Sequence, residues 1–150
     1  VGAASIVFKG IKEMRAKIKA IQKEFPDKIE RALYKEAQFV MTAAKKVTPV
    51  AEEMGGTLRN SGFVSKPARR GTAFSVVLGF GGAAAAYATA VHEHPSGSSP
   101  PSWEGKTITF NPPGTGPKYL ERPLMEAIPG MAERVAARVA KEKASVEVEE

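Results

Sequence analysis

At Thr48-Pro49 the spacing of apolar residues in this chain changes, and the change decides which kind of fold is open to it. Before that point Ile11, Met14, Ile18, Ile21 and Phe25 recur at steps of three and four, and Ile29, Leu33, Val40 and Val47 carry a second stripe. That is the period of two amphipathic helices, one on each side of Pro26, with Asp27 placed to cap the second. Beyond it, "TAFSVVLGF" alternates, with Phe74, Val76, Leu78 and Phe80 on one face and Ala73, Ser75, Val77 and Gly79 on the other. Alternation is the period of a strand. Helices followed by short strands and a closing helix predict an α+β chain.

The strands are expected to form a small antiparallel sheet of about four. "GGTLRNSGFVS" is a weaker strand candidate, joined to "TAFSVVLGF" by the basic turn "KPARRG", which predicts a hairpin. "GGAAAAYATAVHEH" reads as a turn of small residues leading into a third strand through Tyr87, Thr89 and Val91, although its alanine run also suits a helix. "KTITF" supplies a fourth, with Ile108 and Phe110 on one face. Between these two, "PSGSSPPSWEG" is too polar to pack alone and is expected to project as an extended loop at about 94–106. A C-terminal helix begins near "LERPLMEA" with Pro123 in its first turn, is broken at Pro129-Gly130, and resumes through Met131, Val135 and Val139. The acidic "SVEVEE" is expected to fray at about 144–150. Residues 1–150 thus read as a single domain with arms.

Charge narrows the partners. The net charge is +6, and all of the excess lies in the first fifty residues, which hold 11 of the 22 Lys and Arg but only 5 of the 16 Asp and Glu. Acidic surfaces such as nucleic acid, an anionic membrane or an acidic protein suit such a segment, as does plain water. No apolar run approaches the roughly 20 residues that span a bilayer, and no membrane partner is expected. The absence of cysteine excludes disulfides and thiolate chemistry, and without a secretory pattern an intracellular origin is expected.

Candidate chemistry is sparse. On a strand, His92 and His94 would share a face and Glu93 would point away, so both imidazoles could reach one metal. Such a site would still need a carboxylate such as Glu104 from elsewhere, and exposed residues at a strand end are the plainer reading. No Gly-x-Ser-x-Gly elbow is present, and "LGFGGAAAA" lacks both the dinucleotide and the P-loop spacing. No catalytic residue and no cofactor are expected. Lys12, Lys17, Lys19 and Lys23 on the first helix, with Lys66, Arg69 and Arg70 at the hairpin tip, suit phosphates without reading bases. For the helix, a solvated polar face competes with that reading, and Glu13 and Glu24 argue against a membrane-surface helix. Trp103, the one tryptophan, sits in the polar loop, either docking into a neighbour or folding back on its own sheet.

Four short stretches in order carry a resemblance: "AAKKVTPV", "GGTLRNSG", "YATAVHE" and "PKYLERPLMEA". Over roughly residues 30–140 the chain resembles the tail-completion, or head-tail joining, proteins of long-tailed bacteriophages, also described as neck or minor capsid proteins. The matching positions are Thr48, Pro49, Gly56, Leu58, Arg59, Ser61, Tyr87, Ala88, His92, Glu93, Lys118, Tyr119, Leu120 and Glu121. In that family these mark the fold and not an active site. The resemblance implies a structural virion subunit, made in the bacterial host cytoplasm and assembled as a homo-oligomeric ring at the neck. Its implied partners are copies of itself, the portal or head-tail adaptor protein, the tail terminator or tail tube protein, and the DNA that passes through the ring. The alternative from another class is a small nonspecific nucleic-acid-binding module. Two departures from the family pattern stand out, the long "AEEMGG" link and the extended loop carrying Trp103.

Overall fold

A computed structural model describes Lys12, Ala16 and residues 26–50, 56–99, 105 and 107–147, the last five as backbone alone. The first amphipathic helix therefore lies outside the described residues except for Lys12 and Ala16, which are helical and exposed.

Helix α1 (Pro26–Val47) begins where proline is tolerated, in the first turn, with Asp27 beside it and Lys45 and Lys46 in the last turn. Each charge opposes the partial charge of its helix end. Asp27 thus lies inside the helix and not at the cap. Ile29, Ala32, Ala37, Val40, Met41 and Ala44 are buried, and the alanines let neighbouring elements approach closely. Helix α1 packs chiefly against α5 (Met131–Glu147) and against α4 (Glu121–Ala127). Ile29, Ala32, Val135 and Val139 form that core, with Met131 and Phe74 packed on it. A 3-10 turn at Ile128–Gly130 makes the expected break between α4 and α5. The last helix runs on to Glu147, through part of the segment expected to fray.

The same α1–α5 seam holds a charged residue that the apolar stripe hides. Glu36 is 1% exposed and accepts from Nε of Arg134 at 2.7 Å, while Arg138 Nη2 lies 3.4 Å from its other oxygen. Arg134 also donates to the carbonyl of Ala127 at 2.6 Å, fastening the end of α4. A buried carboxylate needs this many donors, because its desolvation is otherwise uncompensated. At the periphery Arg31 Nη2 meets Glu142 at 2.9 Å, and the Arg31 hydrogen bond lowers the Glu142 pKa.

The predicted hairpin exists, but it contains all four strands of the described residues. Strands β1 (Gly62–Val64) and β4 (Leu78–Phe80) pair antiparallel, Gly62 opposite Phe80 and Val64 opposite Leu78. Strands β2 (Ala68–Arg70) and β3 (Ala73–Ser75) continue the ribbon, Ala68 opposite Ser75 and Arg70 opposite Ala73. Between the pairs three residues face two, a bulge held by Ser65, whose N–H donates to Val77 O at 2.8 Å and whose Oγ accepts from Val77 N at 2.9 Å. The alternation predicted for this stretch holds from Ala73 to Leu78, since Phe74, Val76, Leu78 and Phe80 are half-buried and Ala73, Ser75 and Val77 exposed, while Gly79, predicted for the outer face, is half-buried. The reversal is at Gly71-Thr72, with Gly71 at φ 59°, so "KPARRG" is mostly bulge and strand and not the turn.

Two expectations fail. The stretch through Tyr87, Thr89 and Val91 is helix α3 (Ala85–Glu93), preceded by a 3-10 turn at Gly82–Ala84. The alanines of this run favour a helix, and the buried positions Ala84, Ala88 and Val91 recur at four and three residues, whereas the β-branched residues at alternate positions only mimic a strand. "KTITF" forms no strand at residues 107–110; the buried Ile108 makes one rung, Gly97 N to Ile108 O at 2.8 Å and Ile108 N to Ser98 O at 2.9 Å. The class remains α+β, with one bulged ribbon in place of a four-stranded sheet.

Candidate assembly site

The four scattered stretches meet around one side chain, Tyr119. At the exit of α1, Thr48 is fully buried; its Oγ1 donates to Ala44 O at 2.7 Å, which closes the last helical turn. Its own carbonyl accepts from Arg59 Nη2 at 2.8 Å and Nε at 3.3 Å. Arg59 comes from α2 (Thr57–Asn60), a single turn in place of the first part of the expected strand, whose second part is β1. Gly56 starts that turn at φ 79°, a left-handed conformation that costs glycine little, and Ser61 ends it with Oγ donating to Leu58 O at 2.7 Å. Thr57 hydrogen-bonds the Tyr87 hydroxyl, whose pKa is raised by burial. Leu58 is buried with Ala84, Ala88, Val91 and Tyr119, and Val47, Phe80, Phe110 and Leu120 pack around them.

Tyr119 is 2% exposed, and its hydroxyl donates to Ala88 O in α3 at 2.7 Å. Phe80 and His92 each set a ring edge-on to it, centroids 4.9 Å away in both cases. Burial pushes the phenol up to about 12. Next to it, Lys118 adopts φ 55°, rare for a residue with a side chain, and donates its N–H to His92 O at 2.8 Å. Its ammonium lies 2.5 Å from Glu93 Oε2 and 3.2 Å from Glu121 Oε2. Glu93 Oε1 in turn lies 2.6 Å from His92 Nδ1. The Lys118 hydrogen bond, seconded by His92, holds the Glu93 carboxyl below the usual carboxylate range, and Glu93 holds the Lys118 ammonium above its ordinary value. The cluster staples the end of α3 to the start of α4. Phe80, Ala88, Tyr119 and Leu120 floor an open depression of about 300 Å³ beside it, with His92 and Glu93 on the rim.

Residues 12–90 match a family model described as "Bacteriophage HK97-gp10, putative tail-component". The chain belongs to this family. No curated protein and no solved structure gives a match. Family membership supports the predicted resemblance and makes a phage structural component of the virion the coarse function. The matched stretch takes in α1, α2, the whole ribbon and α3 as far as Ala90, and so includes Thr48, Leu58, Arg59, Tyr87 and Ala88. His92, Glu93 and Lys118 to Glu121 lie beyond it, yet Tyr119 and Leu120 belong to the same core.

Within this phage tail-component chain the other candidates separate. His92 and His94 do not share a strand face: on a helix positions two apart diverge by about 200°, and His94 leaves α3 with extended backbone, φ −99° and ψ 143°. Among the described residues no three His, Asp or Glu converge as metal ligands, and no helix is long and apolar enough to cross a membrane. Lys66, Arg69 and Arg70 are exposed on the distal ribbon. Lys17, Lys19, Lys23, Trp103 and Glu104 lie outside the described residues. Sequence reasoning missed the Glu36 clamp, although a signal was present: a carboxylate in the apolar stripe between Ala32 and Val40 requires a buried partner.

Proposed function

We propose that this protein is a subunit of the phage neck, acting without catalysis or cofactor. Copies form a homo-oligomeric ring that joins the portal or head-tail adaptor to the tail terminator or tail tube and leaves a passage for DNA. The observation that carries this reading is the convergence of the family-like residues on Tyr119. Their polar groups are spent on one another and on backbone carbonyls, which suits a rigid platform better than a reaction centre. Family membership supports the virion setting. The loop that carries Trp103 is braced at its base by the Gly97–Ile108 rung and is proposed as a subunit contact.

The test is electron microscopy of lysates from the parent phage lacking this gene. Heads accumulating beside separate, complete tails are expected, and normal infectious particles would overturn the proposal. The basic ribbon favours a second reading, a nonspecific nucleic-acid-binding module. Binding of the isolated monomer to duplex DNA that is strongly salt-dependent and still tight at physiological salt would favour that module, since a neck subunit needs only weak contacts with the DNA.

A further inference from the structure

Between Glu53 and Glu93 the chain contains no acidic residue, yet it carries Arg59, Lys66, Arg69 and Arg70. Arg59 is used internally on Thr48. The other three stand on the distal half of the ribbon, where every residue of β2 is exposed and Lys66 is exposed in the bulge before it. No described carboxylate lies within ion-pair distance of any of them. Three cations on one short ribbon without a counter-charge leave it net positive, which an external polyanion complements.

The ribbon is rigid enough to aim them. Phe74, opposite Arg69, is seated on the core of Ile29, Ala32, Val135 and Val139. The Arg69 guanidinium lies 5.3 Å from the Phe74 ring centroid and its Nε donates to Gly71 O at 3.0 Å. Neighbouring strand residues point to opposite faces, so Arg69 shares the face of Phe74 and Arg70 stands on the other. Both are exposed at the tip, where cations can meet backbone phosphates without the ribbon entering a groove. The β2–β3 strands and their turn carry no aromatic or aliphatic anchor beyond the seated Phe74, only Ala68, Gly71, Thr72, Ala73 and Ser75, and the bulge adds a single exposed one, Val77. Protein–protein hot spots need such anchors and phosphate contacts do not, which favours nucleic acid over an acidic protein.

We infer that the β2–β3 tip is a sequence-independent contact for the phosphates of duplex DNA, made by Lys66, Arg69 and Arg70. The inference rests on the neck reading only for the source of the duplex. The test uses the full chain and a fluorescent duplex of about 30 mixed-sequence base pairs, with anisotropy read from about 20 to 100 mM salt. Lys66→Gln with Arg70→Gln leaves the Arg69–Phe74 contact in place. The double variant should bind at least about tenfold more weakly at the low-salt end, and its plot of log K against log salt should be shallower by about 1.8, or about 0.9 per lost phosphate contact. Lys46→Gln with Arg122→Gln removes the same charge from exposed sites elsewhere and should change binding much less. Equal loss in the two double variants, or unchanged binding at the tip, would overturn the inference. Melting curves must coincide for all three proteins. Counting joined particles in phage lysates tests the neck reading separately.

Discussion

Removing the hydroxyl of Tyr119 should stabilise or destabilise the protein depending on pH, and the crossing point can be worked out. In Tyr119→Phe the ring keeps its edge contacts with Phe80 and His92, and only the 2.7 Å bond to Ala88 O is lost. That carbonyl lies within α3, where the helical ladder offers it a second donor, so the loss is that of one net hydrogen bond, about 1 kcal/mol. For a domain of this size the melting temperature should fall by about 2–4 °C at neutral pH.

Alkali reverses the order. The phenol titrates near 10 in the unfolded chain and at about 12 in the folded one, so folding excludes the tyrosinate. Its folded pKa is raised; the stability tied to the neutral phenol is therefore whole below pH 10 and is lost as pH rises toward 12. Linkage gives a loss of about 2 kcal/mol at about pH 11.5, and the loss equals the hydrogen bond's roughly 1 kcal/mol near about pH 10.7. Tyr119→Phe should be the less stable protein below that pH and the more stable one above it. Urea denaturation of both proteins in parallel at about pH 8, 10 and 11.5 measures the difference and cancels the titration of the lysines and the other tyrosines. A difference that keeps the same sign and size across this range would refute the account of Tyr119 as a buried, neutral donor.

Glu36→Gln leaves Arg134 and Arg138 without their shared carboxylate; both guanidinium side chains are about a third exposed, so the cost should be about 2–3 kcal/mol, less than for a fully buried pair. A melting-temperature change of under a degree would contradict it. Arg59→Ala removes both donors from Thr48 O and should cost about 1–2 kcal/mol in urea denaturation, with normal cooperativity. Glu93→Gln removes the nearer of the two carboxylate charges on the Lys118 ammonium, and hydrogen exchange at the Lys118 amide, bonded to His92 O, should speed up. In the parent, Glu93 has a lowered pKa, so its contribution is present above the ordinary carboxylate value and lost as pH falls through the lowered one; the variant should lack that acid step. Gly79→Ala would place a methyl group 2.9 Å from the Phe63 ring, forcing that half-exposed ring outward at a cost of about 1 kcal/mol, checked by thermal melting.

What can be read from the chain depends on whether one local signal dominates. The helix after Pro26, the half-buried face of Phe74, Val76, Leu78 and Phe80, and the break at Pro129-Gly130 are legible because periodicity or proline determines each alone. The stretch from Ala83 to Glu93 is ambiguous, since alternate β-branched residues and an alanine run point to different periods, and the packing of Ala84, Ala88 and Val91 on Tyr119 decides for the helix. "GGTLRNSG" is only one helical turn followed by a strand start, too short for either period to register. For the site, the resemblance names residues without saying that they touch. Thr48, Arg59, Ala88 and Tyr119 are joined through backbone carbonyls, and no side-chain pattern announces a bond to a carbonyl.

That wiring constrains how any assembly defect can be interpreted. Tyr119, Leu58 and Thr48 are buried, and Arg59, Glu93 and Lys118 are committed to partners within the chain, so a partner subunit gains little from touching them. Substitution at these positions acts on assembly through the position of α3 and the ribbon, and a failed assembly there identifies a platform and not an interface. Lys66 and Arg70 are in the reverse situation: exposed, without an ion-pair partner among the described residues, and carried on a ribbon whose register does not depend on them. A variant at those two positions that melts like the parent but fails in assembly or DNA contact therefore reports on function directly. The two classes separate on one plot, function against melting temperature: core variants should fall along a common slope, and tip variants should drop vertically away from it.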